Sequence, residues 1–524
     1  MKRFLYLTFV LGALLFTACS KKKNSGPIGP DAPGTTLDKI RDSIFLYAKE
    51  DYLWYTSLPS YQTFDPRGSK YNGADDKSTL DNIVNAISQY AINPNSNPSL
   101  PYEYYSDSPG EAKYSFIDDG TVSGELNGIH GDFGFAPFYN TLTDLRVKYV
   151  YPGSPADLAH IKRGYQITSI NGNTSLNYDG GNYGNSTNLN FIINAYSNSN
   201  TISMTLLKPD GTTLTVTNMN VSTYTVKPIL KDTVFDQGSG HKVGYIVFNS
   251  FTSDANAHQP LLTAFNNFSA AGITDLVVDL RYNGGGYVST AELIDNLIAP
   301  ASKQGTLMYN TYYNDILTSG KEVLLKNQWR KDPSSGQDYN YGQFSYAVAD
   351  NAVKFTQVPG ASPLNITRVF FIITGSTASA SELTINNLRP IMDVQFIGET
   401  SYGKPVGFFD IDINKYQLYI PEFYTQNSAG QGGYYGGFTP GASGYPGKAD
   451  YDDVTKDFGD PTEGLLAHAL TYVNTGTYAV KNQSIQSLQA KYGTFSIAAQ
   501  TTAAHKMEQH KFKGMIFNNM KKKK

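Results

Sequence analysis

The 524-residue chain has one cysteine, Cys19, so no intramolecular disulfide can form and the fold must rest on buried apolar surface. It also lacks a basic surplus. Its 42 Lys and Arg face 45 Asp and Glu, a formal net charge of −3, which removes the positive footprint that nucleic-acid binding requires. No G-x-x-x-x-G-K-[ST] phosphate loop occurs, and the third glycine of a G-x-G-x-x-G pattern beginning at Gly284 would be Ser289. No His/Cys/Glu cluster falls at ligand spacing, so neither a metal nor another cofactor is expected. What the chain does have is length for two to four domains and a high tyrosine content, 39 residues, which suits an exported protein with aromatic surfaces.

The amino-terminal end carries an address. Lys2 and Arg3, an apolar run over 4–16, and Thr17-Ala18 before Cys19 form a signal segment over 1–18. The run is too short for a comfortable membrane-spanning helix. A cysteine after small residues resembles the lipobox of bacterial lipoproteins, with Phe16 where Leu is usual. That resemblance implies a mature chain beginning at an acylated Cys19. It would be exported and lipid-anchored in a bacterial cell envelope, on the periplasmic or surface face of the outer membrane. The Lys/Gly/Pro-rich stretch over 19–36 is then a flexible tether.

Leu37, Ile40, Ile44 and Tyr47 recur at helical spacing behind the start signals Thr35 and Asp38. Leu80, Ile83, Val84 and Ile87 mark a second amphipathic helix begun by Ser78. Residues 37–110 are therefore expected to form a small helical domain. Over 120–225 the pattern becomes strand-rich. YPGSPADLAHIKRGYQITSINGN at 151–173 resembles a PDZ domain, with Tyr165 where Asp is usual and His160 where Gly is common. The resemblance implies capture of a peptide as an added strand. Its terminal carboxylate would be capped by backbone N–H groups near Phe133, Gly134 and Phe135. The alternative is a structural domain whose groove is covered or unused. The Gly/Asn-rich stretch 178–190 is expected to be a loop.

From 226 to 475, apolar strands at 242–251, 275–281, 369–374 and 394–397 alternate with helices at 261–271, 291–298 and 382–388, the pattern of an α/β core. Ligands of such cores sit at the carboxyl ends of strands. One of these ends is YNGGG at 282–286, whose glycines free the backbone to aim an N–H inward; a plain tight turn is the alternative. Another is the small-residue turn GSTASAS at 375–381. A glycine loop at 398–407 follows the next strand and presents Lys404. A serine on a tight turn with a lysine from the neighbouring strand end suggests a Ser/Lys hydrolase.

DLRYNGGG at 279–286, STASASE at 376–382 and GETSYGKPVG at 398–407, in that order, resemble the C-terminal processing peptidases, the tail-specific proteases of serine peptidase family S41. The likeness spans 37–475. It continues through GGFTPG at 436–441, where Gly441 replaces a frequent Asp, and GDPTEGLLAHAL at 459–470. It implies a multidomain α/β protein with a core of the crotonase-like/ClpP-like type. The activity implied is that of a serine endopeptidase acting on exported polypeptides from their C-terminal region, without a cofactor.

In the family pattern the nucleophile precedes a Glu by three residues and the general-base Lys by twenty-five. Ser379 meets both conditions with Glu382 and Lys404 (404 − 379 = 25), whereas Ser376 and Ser381 meet neither. The resemblance further implies an oxyanion hole from the N–H of Ala380 and that of Gly284 or Gly285. Lys404 would be kept neutral by burial. Ser379 with Glu382 is also a helix capping box, a role compatible with catalysis. Many family members place Gln four residues beyond the lysine. Here that residue is Phe408, leaving Tyr402 or Glu382 to orient the amine. This departure motivates the alternative of a weak or inactive peptide-binding lipoprotein. A His-based triad would have to use His258 or His468, neither of which lies in a catalytic motif. The tail at 476–524, with a short helix at 483–491 and four terminal lysines, is expected to be solvated.

Overall fold

The computed structural model describes residues 33–96, 98–106, 108–179, 186–332, 335–478, 503–504, 506–507 and 512–517. The signal segment with Cys19, nearly all of the tether and the expected helix at 483–491 lie outside the described residues. None of the described helices is long and apolar enough to cross a membrane.

Helix α1 (Thr36–Asp51) starts at Thr35, whose hydroxyl accepts the Asp38 N–H while the Asp38 carboxylate accepts from the Thr35 backbone. Helix α2 (Asp76–Ser88) starts two residues before the sequence signal suggested. Asp75 is its N-cap and Ser78 sits in its first turn, donating its N–H to Asp75 at 2.7 Å. The two helices do not have a core of their own. Ile44, Phe45, Ile83 and Val84 belong to one continuous apolar cluster with Phe248, Val369 and Phe371 of the central sheet and Phe265 of a helix that packs on it. Amphipathic helices this short need a partner surface, and the central sheet supplies it.

The next region is an antiparallel five-stranded sheet in simple order: β1 (Phe135–Thr141), β2 (Asp144–Val150), β3 (Gln166–Ile170), β4 (Thr201–Leu207) and β5 (Thr213–Asn220). It has a separate apolar cluster, to which helix α3 (Thr187–Ser197) contributes Leu189, Ile192 and Ala195. This helix begins inside the stretch expected as a loop, because its apolar spacing falls after the glycines rather than among them.

The central sheet contains β6 (Ile229–Gly238), β7 (His241–Phe248), β8 (Asp275–Asp279), β10 (Arg368–Ile373), β11 (Asp393–Gly398) and β14 (Gly447–Ala449). Their spatial order is β14-β11-β10-β8-β7-β6. All neighbours are parallel except the β6–β7 hairpin. Helices α4 (Asp254–Ala271), α5 (Val288–Ile298), α6 (Ala380–Leu388) and α7 (Gly464–Thr475) pack against it. Both faces are thus covered, which is why β8 and β10 are nearly unbroken apolar runs.

Beyond the carboxyl ends of β8 and β10 lie three short strands: β9 (Gly285–Tyr287), β12 (Val406–Gly407) and β15 (Gly514–Ile516). A fourth strand, β13 (Phe423–Asn427), pairs with β12. The position of β15 overturns the expectation of a solvated tail. Residues 512 and 514–517 are buried, and β15 pairs in parallel with β9, Gly285 opposite Gly514 and Tyr287 opposite Ile516. Two open backbone edges hold a mostly apolar run, Phe-Lys-Gly-Met-Ile-Phe, that the polar composition and terminal lysines of the tail as a whole obscured.

Candidate active site

The turn after β10 is held in an unusual conformation. Ser379 has φ 59° and ψ −106°, a combination that costs an L-residue about 1–3 kcal/mol. The glycine turn after β8 imposes it. The Asn283 carbonyl accepts the Ala378 N–H and the Ser381 hydroxyl, both at 3.0 Å, while Thr377 donates to the Leu280 carbonyl at 2.8 Å. Asn283 is itself anchored through its amide to the Phe248 carbonyl at 2.9 Å. Ser381 is therefore a structural hydroxyl. The Ser379 Oγ is fully buried and has no hydrogen-bond partner among the described residues.

Glu382, in the first turn of α6, joins the serine turn to the lysine loop. Its Oε2 accepts the Ser379 N–H at 2.9 Å and the Lys404 N–H at 2.8 Å. Its Oε1 accepts the Gly403 N–H at 2.8 Å and the Ser401 hydroxyl at 2.5 Å. Burial raises the pKa of this carboxyl, and the four donors act in the opposite direction. Only the carboxylate half of the expected capping box is bonded, and it coexists with a second role, since the same carboxylate fixes the backbones of Ser379 and Lys404 relative to each other.

Lys404 is fully buried. Its amine donates to the carbonyl of Lys513 at 2.5 Å and to that of Tyr114 at 3.4 Å, and lies 3.8 Å from the centre of the Phe408 ring. Phe408 thus meets the amine with its aromatic face. The two residues expected to orient the amine act elsewhere. The Tyr402 hydroxyl donates to the Lys113 carbonyl at 2.8 Å, and Glu382 reaches Lys404 through its backbone. Burial pushes the Lys404 pKa well below its ordinary value, more strongly than Glu103 and Glu382 pull it up. The amine is directed toward neutrality, as a general base requires.

The sequence reading missed Glu103, Tyr114 and Asn283. Glu103 is buried and accepts from Tyr52 at 2.6 Å and from the backbone and hydroxyl of Ser115 at 2.7 and 2.8 Å. Tyr114 supplies its carbonyl to Lys404 and its hydroxyl to the Gly403 carbonyl at 2.6 Å. No local pattern marks a contact spanning 290 residues.

Ala380 and the glycine turn are adjacent, but Gly285 acts differently from expectation. Its N–H donates to Asn283 Oδ1 at 2.9 Å and so is committed within the turn. Gly285 contributes space instead. At φ 108°, a Cβ placed on it would lie 2.2 Å from the Gly514 carbonyl oxygen and 3.0 Å from the Ala380 nitrogen.

The proposed carboxylate loop of the five-stranded sheet is also already engaged. The Gly134 N–H donates to Asp132 Oδ1 at 2.7 Å, the Phe133 carbonyl accepts the Ala156 N–H at 2.9 Å, and Tyr196 donates to the Phe135 carbonyl at 2.5 Å. Phe133 and Phe135 point into the apolar cluster and make core contacts. His258 is bonded to Asp254 at 3.0 Å on a half-exposed helix face, and His468 to Asp450 at 2.8 Å; neither is bonded to Ser379.

Residues 242–440 match the family model Peptidase family S41. A carboxyl-terminal-processing protease of Picosynechococcus sp. is 26% identical over 220 residues, 40% of this chain and 49% of that protein. The chain thus spans about half the length of this curated relative. A crystal structure assigned to the S41 proteases, from Bacteroides fragilis NCTC 9343, shares the fold with a TM-score of 0.54 at 23% identity, over 86% of this chain and all of that one. The photosystem II D1 C-terminal processing protease gives a TM-score of 0.40 at 16% identity, over 78% of this chain and 93% of that one.

Proposed function

We propose that the chain is a serine peptidase of the S41 type, as the match over residues 242–440 supports, and that it cleaves polypeptides with Ser379 as nucleophile and Lys404 as general base. The carrying observation is the shared Glu382 carboxylate, which holds the backbones of both residues in one buried pocket. The neutral amine takes the proton of the Ser379 hydroxyl as Oγ bonds to the substrate carbonyl carbon. The resulting oxyanion is met by the N–H of Ala380 and of Gly284. As the tetrahedral intermediate collapses, the C–N bond breaks and the protonated amine returns its proton to the leaving nitrogen, leaving an ester on Ser379. Water then hydrolyses that ester by the reverse relay. We further propose that the substrates are exported polypeptides entered from their C-terminal region. The five-stranded sheet would act as a PDZ-like peptide-binding unit and Cys19 as the lipid anchor to the cell envelope.

The test is hydrolysis of an unfolded polypeptide in excess by the mature chain, beside Ser379→Ala and Lys404→Ala. Each variant should lose about 10³-fold or more; equal cleavage by all three rejects the assignment. One observation favours the second reading, a non-catalytic peptide binder: the Lys404 amine is bonded to two carbonyls and not to the Ser379 hydroxyl. Covalent labelling by a serine-directed fluorophosphonate, lost in Ser379→Ala, eliminates that reading.

A further inference from the structure

We infer that the chain's own C-terminal segment 512–517 occupies the peptide slot of the active site as a resident pseudosubstrate, which an incoming polypeptide must displace. This rests on the reading of the pocket as a peptidase site.

The segment is bonded on both edges. On one side Gly514 donates its N–H to the Gly284 carbonyl at 3.0 Å, and β15 continues in register along β9. On the other, the Phe408 N–H donates to the Met515 carbonyl at 2.9 Å and the Phe517 N–H to the Phe408 carbonyl at 3.1 Å. A strand inserted between two open edges is how an extended peptide is recognised without regard to most of its sequence. Alternate side chains then read the walls. Phe512 and Ile516 sit in one apolar cluster with Tyr114, Val406, Phe408 and Tyr419.

The occupant also engages the reacting groups. The Lys513 carbonyl accepts from the Lys404 amine at 2.5 Å, which diverts that amine from Ser379. The next carbonyl, of Gly514, fills the space that Gly285 leaves beside the Ala380 nitrogen. Upstream, Ala503 and Met507 are buried in the cluster of the five-stranded sheet, with Phe133, Phe135 and Ile192. Within fifteen residues the tail thus touches first the five-stranded unit and then the pocket, a polarity opposite to that of a substrate whose terminal carboxylate the unit would hold, so the tail acts as an occupant of the slot and not as a substrate captured by its end.

Full-length Gly514→Pro/Phe517→Pro removes one donor from each edge of the inserted strand. Full-length Ile516→Asp keeps every donor but sets a carboxylate against the apolar cluster. Both should accelerate amide exchange in 284–287 and at Phe408, and fluorophosphonate labelling of Ser379, by about tenfold or more, since reactivity scales with the unoccupied fraction. Free peptide of sequence Phe-Lys-Gly-Met-Ile-Phe, added in trans, should restore protection and slow labelling again. If exchange accelerates and recovers while no chain is labelled, the occupancy holds and the nucleophile assignment fails. Exchange unchanged in both variants, or lost without recovery on adding the peptide, overturns the proposal.

Discussion

Among the charged side chains buried in the described residues, two clusters are built on opposite rules. Between the five-stranded sheet and the central sheet, Arg281 is bonded to Asp279 at 2.7 Å, to Asp452 at 2.6 Å and to Glu463 at 2.9 Å. Arg163 reaches the same Asp452 at 2.6 Å. Burial pushes the Asp452 carboxyl up, but the two guanidiniums outweigh it and hold it well below the usual carboxylate range. In the pocket, by contrast, the Lys404 amine is bonded to carbonyls and faces the Phe408 and Tyr114 rings, with no carboxylate bonded to it among the described residues, and burial prevails over the pull of Glu103 and Glu382. Where charges are matched they remain charged and fasten two parts of the fold; where a cation is denied a carboxylate it moves toward the neutral form that chemistry uses.

The sharpest way to break this contrast is to remove one cation from each cluster. Lys404→Met should lower peptidase activity by about 10³-fold, yet leave the chain more stable at neutral pH by about 1–2 kcal/mol. The sign follows from linkage. Between the lowered folded value and the ordinary 10.5, the unfolded chain binds a proton that the folded chain refuses, so wild-type stability rises with pH through that window. The gain in the variant is therefore largest at the low-pH end and vanishes above the ordinary value. Denaturant midpoints across pH measure it. Arg281→Met should do the reverse and lose about 3–5 kcal/mol, because Asp279 and Glu463 are left buried without a cation. Equal signs for the two variants would dissolve the distinction between the clusters.

The same contrast explains what was legible in the sequence. The serine turn, the lysine loop and the glycine turn each follow a strand whose apolar run is plain, so all three could be placed on strand ends before any coordinates, while the choice of Ser379 among three serines rested on the resemblance to the family's spacing. Local chemistry carries that much. Glu103 and Tyr114 reach the pocket across about 290 residues of chain, and Arg281 joins Asp452 and Glu463 across 171 and 182, so neither leaves a periodic trace. Segment 512–517 was misread for a related reason. Its apolar residues Phe512, Met515, Ile516 and Phe517 were a signal masked by the polar tail around them, and the backbone edges that bind it leave no signature of their own. The helices α1 and α2 were found, but whether an amphipathic face has its own core or borrows one is a tertiary fact.

Smaller changes tune the pocket without emptying it. Glu103 is, after burial, the largest influence on Lys404, and it favours the ammonium form. Glu103→Gln can keep the oxygen that accepts from the Tyr52 and Ser115 hydroxyls, at the loss of the one that accepts the Tyr114 and Ser115 N–H groups, while removing that field, so Lys404 should become neutral at lower pH. The acid limb of the pH profile for Ser379 labelling should then move to lower pH. A limb that moves up, or stays fixed, would show that the carboxyl of Glu103 is uncharged when the site works.

The smallest expected effect concerns Phe408. Its ring faces the amine at 3.8 Å, and such a contact is worth about 0.5–2 kcal/mol to the charged form. Phe408→Leu retains an apolar wall and removes the quadrupole, so the ammonium loses stabilisation and the acid limb should again shift downward, by about one pH unit or less. The plateau rate should fall only a few-fold, because the backbone of Phe408, which lines the slot through its N–H and carbonyl, is unchanged. Phe408→Gln provides the opposing arm. An amide oxygen near the amine accepts from either protonation state but favours the cation, so the limb should lie above that of Phe408→Leu. If the two variants share one limb, the ring serves only as packing, and the contrast between the clusters rests on burial alone.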